Sequence, residues 1–188
     1  MSVLTETEKE LGVVLVDIGA GITDICIFVD GALAYSSVIP IGARHITNDL
    51  AIGLRISLES AEKIKVHLSQ NYGRKKFEKD ADQSDEIDFS DLSIAEEVTK
   101  VSQKTLVEGI IRPRLNELFT MVGIEIKKSG FGTQTPSGVV ITGGGSRTVG
   151  AEDAVKRMLS MPVRIGKPQN ITGLIDEAES PTFATSIG

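Results

Sequence analysis

Residues 12–18, GVVLVDI, are an almost unbroken run of aliphatic, mostly β-branched side chains that ends in an aspartate. A run without polar alternation reads as a strand buried on both faces, and such a strand belongs inside a sheet covered on both sides. That segment alone steers the chain toward a layered α/β domain. Residues 23–29, TDICIFV, read as a second strand after the tight loop Gly19-Ala20-Gly21. Asp30-Gly31 is a hairpin signal, because both residues tolerate the positive φ such turns need. Residues 33–39, LAYSSVI, are then a third, antiparallel strand, ended by Pro40 and Gly42.

Helical spacing follows. Ile46, Leu50 and Leu54 repeat every four residues on one face. Ser57 reads as the N-cap of a second helix, with Ala61, Ile64 and Leu68 inward and Glu59, Glu62, Lys63 and Lys65 on the polar side. Residues 73–93 are dense in charge, the composition of a mobile loop with room for one short hairpin. A long amphipathic helix is expected next, ending near Lys127, its buried stripe marked by Leu106, Ile110, Leu118 and Val122 and interrupted by a kink or break at Pro113. Residues 139–141 read as a short buried strand, 151–159 as a helix and 162–165 as a last strand, and 180–188 as the start of another helix. Together these predict an α/β core, residues 1–54 and 103–188, with a smaller and more polar α+β subdomain, residues 55–102, inserted in it.

Two glycine-bearing segments carry candidate chemistry. In Asp17-Ile18-Gly19-Ala20-Gly21-Ile22-Thr23-Asp24, two strands meet at a loop whose backbone N–H groups can cradle phosphate oxygens. Glycine lets a phosphate approach without a Cβ in the way. An aspartate at a strand end can hold a hydrated metal ion or orient a water. The octet also reads as a plain hairpin, and it matches neither the P-loop nor the dinucleotide fingerprint. In Val139-Val140-Ile141-Thr142-Gly143-Gly144-Gly145-Ser146, three glycines after a buried strand make a turn able to pack on a flat ring or a phosphate. Glu62 and Lys65 stand three apart on one helix face; by themselves they read as a surface ion pair worth about 0.3–0.5 kcal/mol.

Several classes of function are excluded or disfavoured. Twenty Lys and Arg against 26 Asp and Glu give a net charge of −6, poorly suited to phosphate neutralisation on nucleic acid. Tryptophan is absent and aromatic residues are 4% of the chain, too few for a base-stacking platform. Cys26 is the one cysteine, so no internal disulfide or cysteine-based zinc site forms, and a reducing, cytoplasmic setting fits. Cys26 itself reads as a small core residue. His45 and His67 lack partners at metal-ligand spacing, and Ser36, Ser37 and Ser146 lack a recognisable base. No apolar run approaches the roughly 20 residues of a membrane span.

The octet at 17–24 resembles the second phosphate motif of the actin, DnaK-chaperone and sugar-kinase superfamily, and the octet at 139–146 resembles its adenosine motif. Within that superfamily the segments VIPIG (38–42), HITNDLAIGLR (45–55), LESAEKIK (58–65), IRPR (111–114) and MPVR (161–164) are similar to the bacterial cell-division FtsA family. The resemblance covers most of the chain outside residues 74–92. It implies one lobe of an actin-like, ribonuclease H-like ATPase that binds ATP with Mg2+. Asp17 would be the catalytic position, orienting a metal-bound or attacking water. Gly19, Ala20, Gly21 and Thr23 would meet phosphates through backbone and hydroxyl. Glu62 and Lys65 would meet ribose or adenine, and Gly143, Gly144, Gly145 and Ser146 would pack on the adenosine.

The resemblance further implies an adaptor that links the FtsZ ring to the inner face of the cell membrane at the division site and forms actin-like filaments. Its inserted subdomain would receive the FtsZ C-terminal tail, with Lys100 and Arg114, near the two ends of one helical stretch, as the candidate contacts. The family's first lobe and its amphipathic membrane helix would lie outside residues 1–188. Ala20 and Ile22 stand where the family usually carries Gly and Thr; the lost hydroxyl at 22 argues for a slow ATPase at most. Other readings of the two motifs are an MreB-like or PilM-like assembly protein, a sugar or acetate kinase or related phosphotransferase, and an interaction module whose glycines serve turns alone.

Overall fold

A computed structural model of the chain describes residues 3–72, 85–94, 96, 100–168 and 180–183. A short helix, α1 (Glu6–Leu11), leads into β1 (Val13–Ile18), β2 (Thr23–Val29) and β3 (Ala32–Ile39). Two helices follow, α2 (Ala43–Leu54) and α3 (Leu58–Tyr72). Then come β4 (Glu86–Asp88), β5 (Lys100–Ser102) and a π-helical stretch, Thr105–Ile111, that runs into α4 (Arg112–Ser129). β6 (Val139–Thr142), a 3₁₀ turn over Gly144–Arg147, α5 (Ala151–Leu159), β7 (Val163–Ile165) and a 3₁₀ turn over Pro181–Phe183 complete it.

β1 is the middle of a five-stranded sheet ordered β3-β2-β1-β6-β7. It pairs antiparallel with β2 and parallel with β6, and β6 pairs parallel with β7. The apolar run at its origin explains this position: Val13, Val14 and Val16 are completely buried, on alternating faces. Val14, Val16 and Ile18 belong to the large core formed with α2, α3, α4 and α5. Val13 and Leu15 face the other way, into a smaller cluster with Val3, Leu4 and Val140. The Asp30-Gly31 hairpin forms as expected, with φ of 50° and 76° and Val29 opposite Ala32.

Ser57 caps α3, its Oγ accepting the Ser60 N–H at 3.2 Å. Ala61, Ile64 and Leu68 are fully buried, as their spacing requires. Lys65 departs from the polar side assigned to it and is buried, because its ammonium finds partners inside. Within the charged stretch, residues 73–84, where a mobile loop was expected, lie outside the described residues. The short hairpin is wider than that stretch: β4 pairs with β5, whose residues lie beyond it. Ile87 and Phe89 anchor it in the main core, and the Phe89 ring meets His67 edge-on at 5.8 Å.

The long helix differs from expectation at its start. Its first two turns are π-helical, and Pro113 stands in the first turn of α4, where the π-helical stretch gives way to α-helix. The wider π turn moves the buried stripe by one residue. Leu106 and Val107 are both buried, the next buried position is Ile111, and Ile110 is only half-buried. Lys100 lies on β5, so Lys100 and Arg114 do not share one helical stretch. Of the expected terminal helix, residues 184–188 lie outside the described residues, and the preceding turn is 3₁₀.

Candidate functional site

Four residues, 19–22, join β1 to β2. The Gly19 N–H donates to the Ile22 carbonyl at 3.0 Å and closes the turn. The carbonyls of Gly19 and Ala20 accept the N–H groups of Ala43 (2.9 Å) and Arg44 (2.8 Å), so the loop is bolted to the first turn of α2. Glycine at 42 permits this approach: a Cβ there would stand 2.6 Å from both carbonyl oxygens. The N–H groups of Ala20 and Gly21 find no acceptor among the described residues. Nothing comes within 4 Å of a Cβ built on Gly21, which leaves space for a ligand. Thr23 stands differently from its expected place at the phosphates. It is fully buried, and its hydroxyl donates to the Ile41 carbonyl at 2.7 Å, tying β2 to the segment that enters α2.

The second glycine segment packs across the end of β1. Gly143 has φ +81°, and a Cβ on it would fall 2.2 Å from Asp17 Oδ1. A Cβ on Gly145 would collide with Ile18. Ser146 is buried and its Oγ donates to the Gly143 carbonyl at 2.7 Å, so it holds the turn closed. Gly144 alone of the three faces open space, with Thr182 its nearest neighbour at 3.8 Å.

Asp17 stands opposite Asp24 in the β1–β2 register. Burial raises the Asp24 carboxyl above the usual range, and the Asp17 charge adds to it. Burial likewise raises the Cys26 thiol, with both carboxylates contributing, in keeping with a half-buried structural cysteine. No group of three His, Cys, Asp or Glu among the described residues forms a metal cage. A hydrated Mg2+ needs none: it is commonly held through one or two carboxylates, waters and the phosphates of its ligand.

The Glu62–Lys65 pair is more than a surface contact. The Lys65 ammonium donates to Glu62 Oε2 at 2.7 Å and to Thr47 Oγ1 at 2.9 Å, and the Thr47 hydroxyl donates to the same carboxylate oxygen at 2.5 Å. Burial acts to raise the Glu62 carboxyl, but the hydrogen bonds from Lys65 and Thr47 outweigh it and hold it below the usual range. The network joins α3 to α2 and keeps the half-exposed carboxylate in one orientation.

A cleft of about 850 Å³ brings the three constellations together. Gly19 and Ala20, Glu62 and Lys65, and Gly144 and Gly145 all line it. Asp17, Gly21, Thr23, Gly143 and Ser146 are not among the residues that line it. The sequence reading missed Arg44, Thr47 and Asn48 from α2, and Arg147 and Thr182 from the two 3₁₀ turns. The α2 residues were within reach of helix spacing, since Arg44 and Asn48 lie four apart on the face that starts at the phosphate-type loop. Nothing local marks Thr182.

Of the two candidate partner contacts, Lys100 is exposed on β5. Arg114 already carries protein partners: its guanidinium donates to Asp49 and to Glu117. Among the described residues no helix is long and apolar enough to cross a membrane.

The family model for "Cell division protein FtsA" matches residues 14–188. The whole chain aligns with proteins named cell division protein FtsA, at 39% identity in Pseudomonas aeruginosa, 38% in Neisseria meningitidis and 35% in Escherichia coli K12. It spans 43–44% of the length of those relatives. Among solved structures, MreB5 of Spiroplasma citri bound to ADP superposes with a TM-score of 0.65 at 17% identity, over 95% of this chain and 54% of that one. The PilM–PilN type IV pilus biogenesis complex gives 0.65 at 18% identity, over 97% and 46%. The ethanolamine utilization protein EutJ of Carboxydothermus hydrogenoformans gives 0.62 at 21%, over 95% and 48%. These structural likenesses establish the fold, an actin-like α/β lobe.

Proposed function

The chain belongs to the FtsA family of cell division proteins, and from that membership we propose that its cleft binds ATP with Mg2+ and that the lobe serves a division adaptor. One observation carries the reading. The cleft gathers the β1–β2 loop, the Glu62–Lys65 pair and the Gly144–Gly145 turn, distant from one another in sequence, around one volume suited to a nucleotide. The unmatched N–H groups of Ala20 and Gly21 are donors for phosphate oxygens. Glu62 offers an oriented acceptor for ribose hydroxyls, with Lys65 beside it. Gly144 leaves a flat floor for the adenosine, shaped by Gly143, Gly145 and Ser146. Asp17 would meet Mg2+ through a water. Thr23 supports the loop from behind. The metal would supply charge neutralisation at the phosphates.

As an adaptor, the protein would link FtsZ to the membrane from the cytoplasmic side and self-associate in filaments, with ATP turnover slow at most. Lys100 and the neighbourhood of Arg114 are the proposed contacts for the FtsZ C-terminal tail. The inserted segment, residues 55–102, is the proposed partner-facing part of a core made by residues 1–54 and 103–188.

The test is equilibrium binding of a fluorescent ATP analogue with Mg2+, displaced by unlabelled ATP. Saturable, displaceable binding is expected. Gly144→Leu fills the cleft from a position with open space, so it abolishes binding while circular dichroism stays unchanged. A folded chain with no saturable binding sinks the nucleotide reading. Fluorescence anisotropy with a labelled FtsZ tail peptide tests the adaptor reading separately, and Lys100→Glu is expected to weaken that isotherm.

A further inference from the structure

The cleft is lined by five charged side chains, and all but one have their charge engaged by the protein. Glu59 accepts from Lys63 at 3.0 Å. Glu62 and Lys65 bind one another, with Thr47 between them. Arg147 donates to Ser180 Oγ at 3.3 Å. Arg44 has no side-chain partner among the described residues, although its backbone is fixed by the 2.8 Å bond from its N–H to the Ala20 carbonyl.

An unpaired arginine on open surface needs no explanation. Arg44 instead lines a concave site, anchored to the same loop whose Ala20 and Gly21 N–H groups are unmatched. Arg44 and the free Ala20 N–H therefore line the same cleft, with Gly21 next in the loop. The carboxylate of Glu62 stands on α3, where it favours hydroxyls. Glu62 and Lys65 neutralise one another against Ala43 and Thr47, which leaves the Arg44 guanidinium, among the described residues, as the lining cation without a partner for negative charge. A guanidinium suits that task, since its planar fork matches a phosphate with two parallel hydrogen bonds.

We propose that Arg44 reads the phosphate end of the nucleotide, so that it determines preference for phosphorylated ligands over the bare nucleoside. This rests on the nucleotide reading of the cleft and adds a residue that reading does not contain. It also offers a local substitute for the hydroxyl that Ile22 does not provide.

The experiment is isothermal titration of the full chain with ATP, ADP and adenosine, in Mg2+, for the native sequence, Arg44→Ala and Arg44→Lys. Native protein is expected to bind ATP and ADP more tightly than adenosine. Arg44→Ala should weaken ATP and ADP about tenfold, the scale of one charge-assisted hydrogen-bonded contact. Adenosine affinity should stay within about twofold, because that contact is absent from the nucleoside. Arg44→Lys should recover part of the loss. Because the side chain is exposed and has no polar partner among the described residues, thermal melting should be unchanged in both variants. ATP binding unaffected by Arg44→Ala overturns the proposal, and so does an equal loss for adenosine. Native protein that binds adenosine but gains nothing from phosphates overturns the Arg44 role alone. Native protein that binds neither overturns the nucleotide reading and this inference with it.

Discussion

Arg114 grips Asp49 with one edge of its guanidinium: Nε donates to Oδ2 at 2.6 Å and Nη2 to Oδ1 at 2.9 Å. The two residues are 65 apart in sequence, and the bond pins the middle of α2 to the first turn of α4. Both side chains are about one quarter exposed, so the pair is screened only in part. A planar, two-point geometry is the kind of ion pair that does contribute. Removal of either partner by alanine should destabilise the fold by about 1–2 kcal/mol. A double-mutant cycle in urea should show a coupling of about 1 kcal/mol. A coupling near zero would mean that α2 and α4 are held by apolar packing alone.

Gly143 and Gly144 are adjacent and should respond oppositely to alanine. At 143 the backbone is left-handed and the added carbon meets the Asp17 carboxylate, so Gly143→Ala should cost about 2–4 kcal/mol. At 144 the added carbon meets nothing closer than 3.8 Å, and stability should change by less than about 0.5 kcal/mol. Chemical denaturation of the two variants decides it; equal losses would show that the turn is not pressed against β1 as described.

How far these features could be read in the sequence depends on how local their causes are. The position of β1 followed from seven residues, because a strand with no polar face has one place to go. The hairpin at Asp30-Gly31 and the Ser57 cap followed from single side chains with a known local geometry. The two glycine loops were visible as motifs, but which of their glycines face the cleft was not. That is decided by the close approach of β6 to β1, a contact across more than a hundred residues. The burial of Lys65 was hidden for the same reason: its partner Thr47 lies on another helix. The π-helical stretch is not legible because a period of 3.6 puts Leu106 and Ile110 on the buried stripe, whereas the folded chain buries Val107 and Ile111 as well as Leu106 and leaves Ile110 half-exposed.

That shift in register gives a direct test at two neighbouring isoleucines. Ile111 is fully buried in the main core, and truncation to alanine should cost about 2–5 kcal/mol through lost contacts and a cavity. Ile110 is half-buried, and its Cδ1 would lie 2.8 Å from a Cβ placed on Gly53, so it covers the surface of α2 rather than filling the interior. Ile110→Ala should cost about 1 kcal/mol. The reverse order would restore an uninterrupted α-helix through this segment and remove the π turn.

Glu125 on α4 should leave a signature in acid. Hydrogen bonds from Lys128, Ser37 and Tyr35, in that order of weight, bring its carboxyl down to about 2. Tyr35 and Ser37 both donate to its Oε2 at 2.8 Å from the edge strand β3, while Lys128 holds Oε1. A carboxyl that is more acidic folded than unfolded binds fewer protons in the native state, so stability rises with pH wherever the unfolded chain is still protonated. The contribution is therefore complete above the ordinary glutamate range, declines as pH falls below about 4.3 and is lost near 2. Glu125→Gln cannot titrate, and its loss of stability relative to the native chain should be largest at neutral pH and shrink across that window. Urea midpoints measured for both proteins from pH 7 down to the lowest pH at which each still folds would show the two curves converging. Parallel curves would mean that the three hydrogen bonds do not favour the ionised carboxylate, and that β3 is held against α4 without it.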